Sequence, residues 1–490
     1  MFPEFTLHYA RLPDRFFLRF DPVPVKAPKL VAFNRPLAEQ LGFDLTAFDE
    51  YQAAEWFAGN AVPEGAEPLA QAYAGHQFGH FNPRLGDGRA VLLGEVTDRE
   101  GRLRDIQLKG AGCTPFSRGA DGRAPLGPVL REYLVSEAMH LLGVPTTRAL
   151  AAVTTGERVF RRVPEPGAVL TRVAASHLRV GTFQYFAARE DLEAVRTLAD
   201  LAIERHYPEL QDEPESERYL ALVEAVQARQ VALVAKWMGL GFIHGVMNTD
   251  NCSIAGETID YGPCAFMEAY DPTTLFSSID EGGRYAYRNQ PWIAQWNLAR
   301  FAETLLPLID DDQERAVERA TAVIKAFEEQ YEAEWLAVMR EKLGLVKEEE
   351  GDRALVDAFL EALQAGRADF TLAFRRLAEA VEEDASALFE LFEALEGIEA
   401  WLPRWRERLV REDVGPEAIG ERMRAVNPLY IPRNHRVEEA LTAAAEDNDF
   451  GPFDTLREVL AAPFTDQPGR EGFAQSAPPT AAVFRTFCGT

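Results

Sequence analysis

Residues 244–251 read HGVMNTDN, and DYG follows at 260–262. Asp250, Asn251 and Asp260 supply oxygen donors of the hard type that Mg²⁺ or Mn²⁺ prefers. An ion of this kind would use only two protein ligands and take its other ligands from phosphates and water. The stretch therefore predicts a site for a divalent metal and a phosphate, with Asn251 and Asp260 as the metal ligands.

The spacing within this stretch is typical of a phosphotransfer loop with one residue replaced. A protein-kinase catalytic loop carries His-x-Asp, an Asn seven residues after the His, and Asp-Phe-Gly downstream. Asn251 stands seven residues after His244, but Val246 occupies the position of the catalytic Asp. Val246 cannot accept a hydroxyl proton, so ordinary kinase chemistry at that position is excluded. Asp250 is the carboxylate of the loop that remains for this role.

A glycine loop, two strands and a lysine precede this stretch in the order found in a kinase N-lobe. Gly86 and Gly88 lie directly before an apolar run at 90–96, and a charged turn at 98–101 leads to an alternating run at 103–109 that ends in Lys109. Backbone amides of such a loop can approach a phosphate closely. Gly-Asp-Gly is also common hairpin chemistry, and a lysine at a strand end is usually a solvated surface residue.

A helix predicted over 126–142 offers Lys109 two carboxylate partners, Glu132 and Glu137. Five residues on a helix turn through about 140°, so only one of the two can face the lysine. Glu132 is the favoured partner. The alternative is that both are ordinary charges on the helix surface.

Arg172 and Arg179 stand seven residues apart. On a helix this spacing puts both on nearly the same face, and on one continuous strand it puts them on opposite faces. Two guanidiniums suit a polyphosphate because each offers a planar fork of donors that stays charged. A salt-bridged surface pair is the alternative in so acidic a chain.

Two histidine patterns favour structural roles. His76 and His80 stand four apart, but their Gly-rich, aromatic surroundings argue against a regular helix, and no Glu follows the first His as in zinc proteases. A zinc site is not favoured there. His244 is expected to brace its loop rather than react.

The bulk composition narrows the function class. A net charge of −27 repels nucleic-acid phosphates, so no nucleic-acid partner is expected. The 4 cysteines form no Cys-x-x-Cys pair, and no apolar run is long enough to span a membrane. The N-terminus lacks the pattern of a signal peptide. We expect a cytoplasmic protein without a membrane partner.

The pattern along the chain predicts an α+β fold: a protein-kinase-like two-lobed fold with a small β-rich N-lobe and a mainly helical C-lobe. An apolar stripe from Val317 to Val338 and a charged connection at 341–353 indicate helices in the last third. The predicted division is an N-terminal extension at 1–70, an N-lobe with the nucleotide-binding loop at 71–180, a C-lobe with the catalytic and metal-binding loop at 181–310, and a helical C-terminal region at 311–490.

Seven long blocks of the sequence resemble the selenoprotein O family, which are protein adenylyltransferases with a pseudokinase fold. The blocks are QAYAGHQFGHF at 71–81, LGDGRA at 85–90, QLKGAGCTPFSR at 107–118, REYLVSEAMHLLGVPTTRAL at 131–150, TRVAASHLRVGTFQYF at 171–186, HGVMNTDNCSIAGETIDYGPCAF at 244–266 and NPLYIPRNH at 427–435.

The resemblance implies that ATP binds in a flipped orientation and that AMP passes to Ser, Thr or Tyr hydroxyls of proteins, with Mg²⁺ or Mn²⁺ as cofactor. Transfer of UMP from UTP by the same pocket is a second implied reaction. Asp250 is the implied proton acceptor, and Asn251 and Asp260 are the implied metal ligands. The implied nucleotide contacts are Gly86, Gly88, Arg89, Lys109, Asp121, Gly122, Arg172, Arg179 and Asp260.

Other functions compete with this interpretation. They are a conventional protein kinase that uses a displaced base, a non-catalytic nucleotide-binding pseudokinase scaffold, and a thiol oxidoreductase built on Cys488. The last is disfavoured because no resolving cysteine lies nearby in sequence. Relatives pair the corresponding cysteine with one after Asp-Tyr-Gly, where Ser277 or Ser278 stands here and Cys264 is the nearest thiol. No regulatory disulfide is predicted.

Overall fold

The two strands predicted around the charged turn form an antiparallel pair inside a large sheet. The computed structural model describes residues 2–46, 48–381, 384–478 and 486. Ala90 lies opposite Lys109, and Thr97 lies opposite Leu103. Asp98 holds the turn, since its side chain accepts hydrogen bonds from the backbone amides of Glu100 and Arg102. The glycine loop before Ala90 therefore lies at the same end of the sheet as Lys109.

The strands of the described residues form one nine-stranded sheet and two small pairs. They are β1 (Phe5–Thr6), β2 (Phe17–Arg19), β3 (Lys29–Phe33), β4 (Leu69–Gln71), β5 (Gly75–Gln77), β6 (His80–Asn82), β7 (Ala90–Thr97), β8 (Leu103–Lys109), β9 (Ala124–Pro125), β10 (Arg148–Phe160), β11 (Pro164–Ala174), β12 (Phe242–Ile243) and β13 (Ala265–Phe266). The sheet order is β2-β4-β7-β8-β11-β10-β3, with β1 against β7 and β9 against β11. The pairs β5-β6 and β12-β13 stand apart from it.

Helices make up most of the rest of the described chain. They are α1 (Arg35–Gln40), α2 (Glu50–Ala58), α3 (Leu126–Leu141), α4 (Val180–Ala187), α5 (Leu192–His206), α6 (Glu215–Leu240), α7 (Gln290–Ile309), α8 (Gln313–Lys325), α9 (Phe327–Lys342), α10 (Asp352–Ala365), α11 (Phe370–Ala380), α12 (Ser386–Phe389), α13 (Glu396–Leu409), α14 (Pro416–Val426), α15 (Asn434–Glu446) and α16 (Gly451–Leu460). The architecture is thus α+β, with a large antiparallel sheet followed by a long helical part. It is compatible with two lobes.

The large sheet is covered on both faces because its strands alternate between two apolar clusters. Val169 packs with α1 and α2, whereas Leu170, the next residue along β11, packs with α3, α15 and α16. The helix predicted over 126–142 is confirmed as α3, which ends at Leu141 before Gly143 with φ +79°. Helices from the end of the chain therefore complete the core beside α3.

The apolar stripe predicted in the last third spans two helices rather than one. α8 ends at Lys325 and α9 begins at Phe327. Phe327, Tyr331 and Trp335 are buried as predicted. Val317 is 43% exposed because the buried face of α8 consists of Ala316, Ala320 and Val323. The predicted connection at 341–353 is confirmed between the end of α9 at Lys342 and the start of α10 at Asp352.

None of the described helices has both the length and the apolar character needed to cross a bilayer. Cys488 lies outside the described residues, so its thiol chemistry stays a prediction.

Lys342, at the end of α9, is buried in the helical part without a carboxylate partner among the described residues. Its Nζ donates to Asn427 Oδ1 at 2.7 Å and lies 4.2 Å from the centre of the Phe374 ring. Burial lowers the pKa of Lys342 to about 7. The helical region therefore contains an ammonium group whose charge opposes folding below that pH.

We expect Lys342→Met to change how stability depends on pH. Between about pH 7 and the ordinary lysine pKa of 10.5, the unfolded chain keeps a proton that the folded chain has lost. The wild-type free energy of unfolding should therefore rise relative to the variant by up to about 1.4 kcal/mol per pH unit above pH 7. Below pH 7 the difference between the two proteins should be constant. Chemical denaturation of both at pH 6, 7, 8 and 9 measures this, and a difference independent of pH throughout would contradict it.

Candidate functional site

Four charged side chains from four segments meet at one point. Lys109 Nζ lies 2.6 Å from Glu132 Oε2 and 2.5 Å from Asp260 Oδ1. Arg172 Nη2 lies 2.5 Å from Glu132 Oε1 and 2.5 Å from Asp260 Oδ1. Each cation thus contacts both carboxylates. The prediction that Lys109 pairs with Glu132 is confirmed; Glu137 instead binds Arg148.

Strand register explains how the two cations come together. Lys109 in β8 lies opposite Leu170 in β11, and residues directly opposite each other in an antiparallel pair point to the same face. Arg172, two residues after Leu170, points to that face as well. This is the face covered by α3, which carries Glu132. Asp260 is then the one member of the cluster that comes from outside the sheet and its helix.

The charges in this cluster determine the ionisation of its carboxylates. Burial alone raises the pKa of Asp260, but the positive charges of Arg172, Lys109 and Arg179 hold it well below the usual range. For Glu132 as well, burial raises the pKa and the nearby Arg172 and Lys109 lower it further than burial raises it. Both carboxylates are therefore ionised at neutral pH.

Arg179 approaches the same cluster from a different element. It precedes α4, whereas Arg172 lies within β11, so neither the single-helix nor the single-strand arrangement applies. Its Nη1 lies 3.9 Å from Asp260 Oδ2 and donates to the Asp250 backbone carbonyl at 3.1 Å. Arg172 and Arg179 are each only 3% exposed, which overturns the surface-pair alternative. The two guanidiniums converge because the chain turns between strand and helix.

The imidazole ring of His244 holds its own loop in place through two contacts with backbone groups. His244 Nε2 lies 2.9 Å from the Ile259 carbonyl, and Nδ1 accepts from the Val246 amide at 3.4 Å. The imidazole thus ties the loop to the residue before Asp260, which confirms its bracing role. His76 contacts Gln184 through Nδ1 at 2.8 Å, and His80 is exposed at the start of β6.

Asp250 lies in a 3₁₀ turn, Thr249–Asn251, with its carboxylate only partly satisfied. Oδ2 accepts a long hydrogen bond of 3.4 Å from Gln77, and Oδ1 is buried without a partner in the described chain. Burial raises the pKa of Asp250 to about 6. A Cβ on Gly75 would lie 2.5 Å from Oδ1, so only glycine there lets the hairpin approach this closely. Asp250 is thus a carboxylate with a spare acceptor atom beside the ion cluster.

Asn251 and Asp260 each keep an oxygen available for a cation. Asn251 donates from Nδ2 to the Val246 carbonyl at 3.0 Å, which orients the amide and leaves Oδ1 as an acceptor. Asp260 uses Oδ1 for Lys109 and Arg172, while Oδ2 has only the distant Arg179. Within the described ranges no group of three or more His, Cys, Asp or Glu side chains could hold a metal. Two oxygen ligands fit Mg²⁺ or Mn²⁺ bound together with phosphates.

All of the sequence-predicted site residues line one cavity of about 730 Å³. They are Gly86, Gly88, Arg89, Lys109, Asp121, Gly122, Arg172, Arg179, Asp250, Asn251 and Asp260. A cavity of this size suits a nucleotide-sized ligand. Which of these residues contact a ligand stays a prediction.

The glycine loop is packed against the segment that follows β8. A Cβ on Gly86 would lie 2.3 Å from the Phe116 ring, and one on Gly88 would lie 3.0 Å from the Phe116 carbonyl. The hairpin interpretation is wrong, because the loop joins β6 to β7 and these strands do not pair with each other. The glycines are therefore required where this loop forms the cavity wall.

Sequence reasoning missed the contribution of α15. Its residues Glu438, Leu441, Thr442, Ala445 and Glu446 line the same cavity. Arg131 of α3 connects to this helix through Asn434 Oδ1 at 3.1 Å and through an ion pair with Glu438. The only signal was that NPLYIPRNH at 427–435 belongs to the blocks with family resemblance. The C-terminal region thus forms part of the site.

Comparison with known proteins identifies relatives over nearly the whole chain. The family model described as protein adenylyltransferase SelO matches residues 2–461. A protein nucleotidyltransferase YdiU from Cereibacter sphaeroides (strain ATCC 17029 / ATH 2.4.9) is 62% identical over 489 residues, which is 99% of either chain. Proteins of the same name are 58% identical in Bradyrhizobium sp. (strain BTAi1 / ATCC BAA-1182), over 99% of either chain, and 58% identical in Agrobacterium fabrum, over 99% of this chain and 100% of the relative.

The ion cluster predicts an unequal cost for removing two glutamate charges. Glu132→Gln leaves the buried Arg172 and the half-buried Lys109 with one carboxylate, so we expect a loss of about 3 kcal/mol in the free energy of unfolding. Glu379→Gln removes the partner of Arg376 in a surface pair of 2.6 Å and should cost less than about 1 kcal/mol. Chemical denaturation without nucleotide compares the two variants. Equal, small losses would show that the cluster does not stabilise the fold.

Proposed function

The chain belongs to the protein adenylyltransferase SelO family and is a nucleotidyltransferase, and we propose that it transfers AMP from ATP to Ser, Thr or Tyr hydroxyls of proteins with release of pyrophosphate. The observation that carries this is the convergence of Lys109, Arg172 and Arg179 in the cavity that also contains Asp250, whose Oδ1 has no partner among the described residues. The cations suit a polyphosphate, and the carboxylate suits a hydroxyl proton. We place the reaction in the cytoplasm, without a nucleic-acid or membrane partner.

We further propose that the fold is protein-kinase-like and two-lobed, with the division at 1–70, 71–180, 181–310 and 311–490. The contact between a strand lysine, Lys109, and a helix glutamate, Glu132, supports this, since that ion pair is part of a kinase N-lobe. The glycine loop before β7 and the metal-ligand pair after the helical segment follow the same order. The helix α15 extends the arrangement with a wall from the C-terminal region.

The cationic wall explains why the α-phosphate is the proposed point of attack. If the triphosphate enters with its β- and γ-phosphates against Lys109, Arg172 and Arg179, these side chains stabilise the charge that develops on departing pyrophosphate. Arg172 and Arg179 are buried, so their charges act in a medium that screens them weakly. The α-phosphorus is then left toward the mouth of the cavity, where an acceptor can reach it.

Asp250 is the proposed proton acceptor. The acceptor oxygen forms a bond to the α-phosphorus, the bond from that phosphorus to the bridging oxygen of pyrophosphate breaks, and the hydroxyl proton passes to Asp250. Mg²⁺ or Mn²⁺ bound by Asn251 and Asp260 would supply neutralisation of charge on the phosphate oxygens. The cationic residues act on the phosphates, which ATP and UTP share. Transfer of UMP from UTP is therefore proposed as a second reaction.

Labelling at the two ends of the triphosphate tests the direction of transfer. We expect casein incubated with the protein, Mg²⁺ or Mn²⁺ and ATP to retain label from the α-phosphate and not from the γ-phosphate. Label from γ alone would indicate a conventional kinase, and no label from either would indicate a non-catalytic scaffold. Labelled UTP in a parallel reaction measures the second activity.

Two aspartate variants should fail in different ways. Asp250→Asn keeps the shape of the loop but cannot accept a proton, so transfer should fall at least about 100-fold while ATP binding is retained. Asp260→Ala removes a metal ligand, so it should abolish both transfer and the metal dependence of ATP binding. Asp311→Asn, at an exposed position, serves as the control. Full activity in Asp250→Asn, or metal-dependent binding retained in Asp260→Ala, would contradict the assigned roles.

A further inference from the structure

Arg284, in the segment between Asp-Tyr-Gly and α7, has a guanidinium held by aromatic rings. Its Cζ lies 4.9 Å from the centre of the Trp296 ring, 5.6 Å from that of Trp292 and 5.7 Å from that of Tyr285. Its Nε is buried without a hydrogen-bond partner, and no described carboxylate forms an ion pair with it. Acidic residues outnumber basic ones by 78 to 51 in this chain, yet none of the described ones neutralises this guanidinium.

The backbone around Arg284 is held in place independently of its side chain. Asp280 accepts from the amide of Arg284 through Oδ1 at 2.9 Å and from the amide of Tyr285 through Oδ2 at 2.8 Å. Asp280 is buried, and its carboxylate is occupied by these two bonds. Asp280 therefore orients the segment and does not form an ion pair with the guanidinium.

The β5-β6 hairpin links Arg284 to the proposed proton acceptor. A Cβ on Gly79, at the hairpin turn, would lie 3.7 Å from the guanidinium carbon of Arg284. Two residues earlier, the Gln77 side chain lies 3.4 Å from Asp250 Oδ2. Arg284 and Asp250 therefore lie against two residues of the same hairpin, Gly79 and Gln77, which are two positions apart.

The loop that carries Asp250 is hydrogen-bonded both to this hairpin and to the residue that follows Arg284. Asn248 Oδ1 accepts from the Phe78 amide at 3.0 Å and from the Tyr285 hydroxyl at 2.6 Å. Thr249 Oγ1 accepts from the His76 amide at 2.7 Å. The position of Arg284 relative to the site is therefore set by hydrogen bonds and not by a free loop.

Large apolar side chains are exposed around Arg284. Phe81 in the hairpin is 41% exposed, Ile279 is 45% exposed and Trp292 is 55% exposed. We define Phe81, Ile279, Arg284 and Trp292 as the acceptor patch. Ile279 also lines the site cavity, and Trp and Arg are residue types that dominate binding surfaces.

We propose that the acceptor patch binds the segment of the acceptor protein that flanks the modified hydroxyl, and that Arg284 selects an acidic side chain in that segment. The inference rests on the proposed function, because it names the class of acceptor for the same site. A carboxylate matches the planar donor fork of Arg284 and supplies the charge that the chain itself does not. The neighbouring rings hold the guanidinium in position and exclude water from the contact.

Peptide binding without nucleotide tests this on the wild-type protein. The probes are fluorescein-labelled peptides of nine residues with a central serine in an Ala/Gly background and one Glu placed two, three or four residues to either side. Matched peptides carry Gln in place of Glu. Fluorescence anisotropy should show that at least one Glu peptide binds about tenfold more tightly than its Gln partner. Equal affinities across the whole set would overturn the proposal.

Variants of the patch then locate the selectivity. Arg284→Gln should reduce the Glu-to-Gln ratio to within twofold, and Arg284→Lys should retain part of it. Arg288→Gln, an exposed arginine four residues further along, should leave the ratio unchanged. Arg284→Glu should instead favour peptides with Lys in place of Glu, a gain that an unfolded protein cannot show. A Glu preference that survives in folded Arg284→Gln would overturn the proposal.

The same peptides separate this inference from the proposed function. With α-labelled ATP and metal, transfer should follow the binding preference, with a KM about tenfold lower for the favoured Glu peptide and a similar kcat. Transfer to Glu and Gln peptides with equal KM would overturn the acceptor preference and leave the proposed function intact. A binding preference without any transfer would instead argue against the proposed function and support the patch as a peptide site.

Discussion

The contact of Lys109 and Arg172 with the carboxylates of Glu132 and Asp260 is the constraint on which the rest of the site depends. Each charge loses several kcal/mol of hydration on burial, and only close pairing with opposite charges offsets that loss. The cluster meets this condition because every cation contacts both carboxylates. It also connects β8, β11 and α3 to the Asp-Tyr-Gly loop. The sheet and the loop that bears the proposed metal ligand are therefore held in one arrangement.

The surroundings shift the pKa values of two nearby aspartates, Asp260 and Asp250, in opposite directions. Asp260 stands among three cations, which keep it ionised in spite of burial. In Asp250 burial dominates, and its pKa is raised although Arg179 lies nearby. One carboxylate thus suits a permanent negative charge beside a metal, and the other suits a group that takes up a proton. Environment, not residue type, assigns these roles.

Parts of the site follow from local geometry and were therefore predictable. That only one of Glu132 and Glu137 could face Lys109 followed from the angle between two positions on one helix, and both lie within a segment whose period was clear. Whether Arg172 and Arg179 share a face could not be decided from the sequence, since this required knowing that β11 ends between them. The hairpin interpretation of Gly86 and Gly88 failed because the loop joins strands that belong to different sheets. Strand pairing of this kind depends on distant residues.

The sequence by itself determined the family, the α+β class and eleven of the residues that line the cavity, because motif spacing and side-chain chemistry are local properties. Only the tertiary structure placed α15 against the cavity and Arg284 beside the β5-β6 hairpin. Arg131 and Glu438 are separated by more than half of the chain and still form an ion pair. No period or spacing indicates such a contact, because it depends on how whole elements pack. That packing is set by the burial of apolar faces on α3, α15 and α16, which the chain achieves only when it is folded.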